Sequence, residues 1–246
     1  MKIRLLAAAG LALALALGCK TANPEKQFFN EVGDLSKQAI LDKGDAYAKD
    51  KRWEDARRYY SYLSDSFPND PLGRAAALKV ADTFFAEKNL ESLTEAQLRY
   101  RDFSNRFPND PARAYALLML GRCSFLQKRG PMRDLTSVKE AVESFRQVIR
   151  LFPDSPHAAE ARTLLGQGIE DLAAHELEIA RFYASIHAWR GASQRVDYLL
   201  ATYPDAQAAR QAVVLKAEVD AHLGPPMAIP APPTPMPTPA PLPPLV

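Results

Sequence analysis

Four proline-centred boxes divide this chain: Phe67-Pro68-Asn69-Asp70-Pro71, Phe107-Pro108-Asn109-Asp110-Pro111, Phe152-Pro153-Asp154-Ser155-Pro156 and Tyr203-Pro204-Asp205. Their prolines stand 40, 45 and 51 residues apart, yet each follows an alanine by the same 12 positions: Ala56, Ala96, Ala141 and Ala192. A constant segment inside a repeat of variable length means one fixed helix per repeat, about three turns long and ended by a residue that cannot continue it. Such a chain stacks helical hairpins into a solenoid, which points to a binding scaffold rather than an enzyme.

The residue types agree. Alanine lets two helix backbones approach, and the side chain four residues later (Tyr60, Tyr100, Phe145, Val196) lies on the same stripe. The residue before each proline is pushed out of helical geometry, so Phe67, Phe107, Phe152 and Tyr203 close their helices while keeping a side chain to pack. The Asp and Asn that follow, in three boxes with a further Pro, open the next helix. Counting back from Ala56 and Ala192, a small residue stands 12 earlier (Gly44, Ala180) and a tyrosine 9 earlier (Tyr47, Tyr183). This spacing resembles the tetratricopeptide repeat of 34 residues. The expected architecture is all-α, a right-handed tetratricopeptide superhelix of about 4–5 helical hairpins.

Repeats two and three fit only with added residues between their helices, before Ala96 and across residues 128–137, and those additions are expected as longer loops. The 51-residue step has no breaker cluster between Pro156 and Ala180, so its surplus is expected as helix, spanning His157 to Ser185 with Gly166 and Gly168 as candidate kink points.

At the N-terminus, Lys2 and Arg4 precede an apolar run too short to span a bilayer, which reads as a secretory signal over residues 1–18. Leu15-Ala16-Leu17-Gly18-Cys19 resembles a bacterial lipobox, in which the cysteine thiol receives diacylglycerol and the new amine is acylated. Several acyl chains anchor stably where one binds marginally. Residues 19–27 are expected as a lipidated tether, 28–224 as the repeat domain, and 225–246 as a disordered tail. That tail holds 11 prolines in 22 residues with no charged or aromatic side chain, so it cannot form a core and favours extended polyproline II.

Chemistry is sparse. His157, His175, His187 and His222 show no metal-ligand spacing, and no phosphate loop, nucleophile elbow or paired-cysteine motif occurs, so neither catalysis, cofactor nor metal is expected. After Cys19 only Cys123 remains, in an apolar helix, where it reads as a small core residue. Removing Lys2 and Arg4 from 31 basic residues leaves 29 against 29 acidic ones, a balance that argues against a nucleic-acid partner.

A more specific signal runs from Leu172 to Tyr183, Ala188 to Val196 and Tyr203 to Ala208, joined by Arg133 to Thr136, Glu140 to Phe145 and Arg150 to Ser155. These stretches resemble the fourth and third repeats of the BamD family, the lipoproteins of the outer-membrane β-barrel assembly machinery. The resemblance covers about residues 28 to 223. A fifth repeat shows only its first helix, about 206 to 223, and the first two boxes carry Asn-Asp where better-known members carry other residues.

The resemblance implies an outer-membrane lipoprotein facing the periplasm. Its N-terminal repeats would receive unfolded outer-membrane proteins or accessory lipoproteins, and its C-terminal repeats would hold BamA. The first helix of each hairpin lines the concave face of such solenoids, which in repeat one presents Gln38, Leu41, Asp45, Ala48 and Lys49. Arg195 matches an arginine of the family and is the candidate for an ion pair with a BamA carboxylate. The competing reading is a tetratricopeptide lipoprotein of another envelope system, in pilus-secretin assembly or envelope constriction.

Overall fold

A computed structural model describes residues 24–128, 130 and 134–224. The signal segment, Cys19, Arg133 and the proline-rich residues 225–246 lie outside the described residues. Among the described residues the chain forms ten helices and no strand: α1 (Pro24–Gly33), α2 (Lys37–Lys49), α3 (Trp53–Ser66), α4 (Pro71–Glu87), α5 (Leu90–Arg106), α6 (Arg113–Leu126), α7 (Thr136–Leu151), α8 (Pro156–Ser185), α9 (Trp189–Thr202) and α10 (Gln207–Leu223). The all-α hairpin repeat expected from the spacing is what the chain adopts. Hairpins α2–α3, α4–α5 and α6–α7, with the first part of α8 through Gly168, belong to one compact unit; the rest of α8, α9 and α10 belong to a second.

Every box ends its helix in the same way. Phe67, Phe107, Phe152 and Tyr203 leave helical geometry (φ −135°, −122°, −137° and −130°). Their N–H groups still donate to the carbonyls of Leu63, Phe103, Val148 and Leu199. In the first and third boxes the next helix is then capped from the box: Asp70 accepts from the Leu72 N–H at 2.9 Å and the Ser155 hydroxyl from the His157 N–H at 3.3 Å. In the second, Asp110 accepts from the Ala112 N–H at 2.9 Å in the turn before α6, which has no side-chain cap.

Asp205 does not follow suit, since α10 opens at Ala206 with no cap of its own. Glu170 on α8 takes the role across 37 residues, accepting the Gln207 N–H at 2.8 and 3.0 Å. A carboxylate there also meets the positive end of the helix dipole. Glu170→Ala is expected to cost about 0.5–2 kcal/mol and to speed amide exchange in the first turn of α10, read by hydrogen-exchange mass spectrometry. Unchanged exchange there would reject the capping role.

The seam inside each hairpin is built from the constant positions. Ala56, Ala96, Ala141 and Ala192 are all 0% exposed, and Tyr60, Tyr100, Phe145 and Val196 are no more than 2% exposed. In repeats one and three the aromatic seats on a glycine of the partner helix. A Cβ at Gly44 would lie 2.4 Å from Tyr60 Cε1, and one at Gly121 would lie 2.5 Å from Phe145 Cε1. Small residue and ring are therefore complementary halves of one contact.

Repeat two corrects an expectation. Only Lys88 and Asn89 separate α4 from α5, so its added residues are not a loop. Lys88 takes a left-handed conformation (φ 58°), and Asn89 caps α5 by accepting from Ser92 N–H, which starts the helix six residues before Ala96 against three before Ala56. The surplus is one extra helical turn. In repeat three α6 ends at Leu126 and α7 begins at Thr136, and residues 129 and 131–133 between them lie outside the described residues. The 51-residue step is a single 30-residue helix, α8. Gly168 lies within it and permits a close approach to α7, because a Cβ there would come within 2.6 Å of Val142 Cγ2.

α1 covers the first hairpin. Pro24 opens it, inside the stretch expected as tether, because proline is tolerated in a first helical turn. Phe28 packs edge-on to Tyr59 with centroids 5.1 Å apart, and Val32 is 1% exposed. Glu31 is held by Lys43 and the Tyr59 hydroxyl; the Lys43 bond first of all keeps its carboxyl below the ordinary range.

Candidate partner-binding surface

The first helices of the hairpins in the N-terminal unit, α2, α4 and α6, carry a ladder of polar contacts set by one register. The residue immediately after the small seam residue is Asp45, Asp82 and Arg122 in repeats one to three. Asp45 accepts from the Tyr60 hydroxyl at 2.6 Å and pairs with Lys79 of the next first helix at 2.9 Å. Asp82 accepts from Tyr100 at 2.5 Å and from Tyr115 of the next first helix at 2.7 Å. Arg122 pairs with Glu160, on the first part of α8, at 3.3 Å. Each rung joins one repeat to its successor.

Asp82 is the acid of the ladder that two tyrosine hydroxyls share. Burial raises its carboxyl above the ordinary value, and the hydroxyls of Tyr100 and Tyr115 only partly offset this. Both tyrosines are pushed up in turn, by burial first and by the charge of Asp82 second. The arrangement is a hydrogen-bonding wall that ties each first helix to the next. Cys123 is fully buried and burial pushes its thiol up to about 12, so it carries no thiolate at neutral pH. Among the described residues no three His, Cys, Asp or Glu side chains are placed to hold a metal, and no helix is long and apolar enough to cross a membrane.

The residues singled out from the sequence divide. Gln38 is exposed and donates to Asp42 at 2.8 Å; Lys49 is exposed at the end of α2; Asp45 is the half-buried base of the ladder. Leu41 does not belong with them. It is 7% exposed and packs in the core with Ile40, Tyr60 and Leu63, because it stands three residues before Gly44 on the stripe that faces α3.

In the C-terminal unit Arg195 on α9 donates to Glu176 Oε2 on α8 at 3.1 Å, with 43% of the arginine side chain and 14% of the glutamate exposed. The arginine is thus anchored at one end and accessible at the other. Cys19 lies outside the described residues. Sequence reasoning missed Asp82, Glu170 and Glu176. Asp82 alone had a signal, its position directly after Ala81 as Asp45 follows Gly44.

Comparison with known proteins bears on this architecture directly. A family model described as YfiO, outer membrane lipoprotein, matches residues 33–231. The outer membrane protein assembly factor BamD of Haemophilus influenzae is 29% identical over 233 residues, covering 91% of this chain and 85% of that protein. BamD of Vibrio cholerae is 26% identical over 224 residues, covering 87% and 89%. BamD of Neisseria gonorrhoeae is 23% identical over 224 residues, covering 87% and 82%. The family match runs from the end of α1 past the end of α10, through both units and all four boxes, so the chain belongs to the YfiO family of outer membrane lipoproteins, the family of the BamD assembly factors.

Proposed function

We propose that this protein is a lipid-anchored scaffold of the β-barrel assembly machinery, acylated at Cys19, that binds BamA and receives unfolded outer-membrane proteins during their insertion. The observation that carries the reading is the family match over residues 33–231, whose relatives are named as outer membrane protein assembly factors. The first-helix wall of the N-terminal unit suits the substrate role. Gln38 and Lys49 stand exposed beside the Asp45–Lys79 rung, offering donors and acceptors to the unpaired backbone of an extended chain. Leu41 contributes no surface to it.

Arg195 suits the BamA role, its free edge meeting a partner carboxylate while Glu176 holds the other. Glu176 also dictates the test. Charge reversal at Arg195 would set two carboxylates against each other and destabilise the unit, whereas Arg195→Gln keeps a donor for Glu176 and removes the charge. Loss of one charge-assisted contact, about 1.5–3 kcal/mol, is expected to reduce BamA recovery roughly tenfold or more in a detergent pull-down, with the melting temperature little changed. Unchanged recovery would remove the assignment of Arg195. Recovery of a secretin or of peptidoglycan factors in place of BamA, with the unaltered protein, would move the whole reading to another envelope system.

A further inference from the structure

α1 stands outside the repeats and leaves an aromatic ring in solvent. Its inner face buries Phe28 and Val32 against the first hairpin, while Phe29, on the outer side, is 57% exposed. Among the described residues of the N-terminal unit it is the one aromatic side chain left exposed. Phe29 meets Phe28 and Tyr62 edge-on, with centroids 5.7 and 6.2 Å apart. The three rings, together with Glu25, Arg58 and Asp65, line an open cavity of about 360 Å³ between α1 and the end of α3.

Position and charge name what covers these rings. Cys19 precedes Pro24 by five positions, and an extended chain spans at most about 3.6 Å per residue, so the start of α1 stays within about 18 Å of the lipid attachment. Phe29 lies five residues further, about 7 Å along the helix axis. The exposed ring is thus held near the bilayer by the chain itself. Glu25 and Lys26 flank Phe29 on the outer side of α1, and Asp65 and Arg58 border the cavity, so two acids balance two bases. A rim without net charge selects no strongly acidic or basic partner. The boundary between zwitterionic headgroups and acyl chains, in contrast, accepts an aromatic ring together with charged groups that reach back to water.

We infer that Phe29 and Tyr62 form a membrane-contact site that seats the N-terminal unit on the lipid surface beside its anchor. This rests on acylation at Cys19, as proposed above, and adds a second attachment made by the folded body. An acylated residue alone fixes one point of the chain. A ring in the headgroup boundary ten positions on also fixes which side of the first hairpin faces the bilayer.

The test uses the full acylated chain in vesicles of phosphatidylethanolamine with a minor share of phosphatidylglycerol. Asn30→Cys, an exposed neighbour of Phe29, carries a polarity-sensitive fluorophore, and Arg146→Cys, exposed on α7, carries it in the control. Cys123 is buried and takes no label. Lipids spin-labelled just below the headgroup are expected to quench the label at 30 several-fold more than the label at 146. The difference should persist at high salt, because ring burial rather than charge attraction drives the contact. Adding Phe29→Ala should bring quenching at 30 down to the control level. Equal quenching at the two positions, loss of the difference at high salt, or quenching at 30 that Phe29→Ala leaves unchanged would each overturn the site. Acylation is read separately from the intact mass. A chain without lipid on Cys19 overturns the site together with the anchoring it rests on, whereas an acylated chain without the quenching difference overturns the site alone.

Discussion

Phe145→Ala is expected to lower the free energy of unfolding by about 3–5 kcal/mol, and to reverse the sign of a second substitution, Gly121→Ala. Phe145 is 0% exposed and meets Phe125 edge-on with centroids 6.2 Å apart. Its ring lies where a Cβ on Gly121 would come within 2.5 Å. Gly121→Ala by itself gains about 1 kcal/mol of helix propensity but forces the ring aside in a packed seam, an overpacking cost of about 1–3 kcal/mol. The net effect is destabilising. Once Phe145 has been cut back to alanine, the three atoms nearest the added methyl are gone and the same change is expected to stabilise. Urea unfolding of the two single variants and the double variant measures the coupling. Simple additivity would mean that ring and glycine are not the complementary pair described here.

Asp82→Ala is expected to cost about 2–5 kcal/mol, because it strips the shared acceptor from two tyrosine hydroxyls, each worth about 1–3 kcal/mol when buried without a partner. Tyr100 is 0% exposed and cannot turn to water. Asp82→Asn retains an acceptor and costs less, and it exposes the electrostatic part of the contact. In the unfolded chain Asp82 has its ordinary value of 3.8; in the folded chain burial raises it. The folded state therefore binds this proton more readily. The stabilisation from Asp82 is complete below 3.8 and is lost as pH rises through the higher folded value. The advantage of the natural protein over Asp82→Asn should be greatest in acid and shrink toward neutrality. Urea midpoints of both proteins between pH 4 and pH 7 decide this, and a difference constant over that range would show that Asp82 does not titrate upward.

These two sites also mark how far the sequence could be read. Ala141, Phe145 and Phe152 announce their helix, its seam and its end by spacing alone, since each acts within its own hairpin. Register would equally have flagged Asp82. Its strength comes from Tyr115, however, which lies 33 residues on in the following repeat. Contacts of that kind leave no local pattern. The same holds for Glu170 capping Gln207 across 37 residues, and for Glu176, which turns Arg195 from a free charge into an anchored one. Leu41 was misplaced for a geometric reason: its position in the count falls at the edge of the stripe, and the turn of α2 carries it to the α3 side. Lys88-Asn89 reads as loop chemistry in the sequence, yet Asn89 is a helix cap, and capping converts the surplus residues into a turn of α5.

That extra turn shows where this architecture tolerates change. The stretch from seam alanine to terminating proline has one length in every repeat, while the hairpin tips differ by a short helical extension in one and a run of connecting residues in another. Tips are thus the free ends of the design. An epitope or fluorescent reporter grafted between Lys88 and Asn89, both exposed, would ride outside the packed seam.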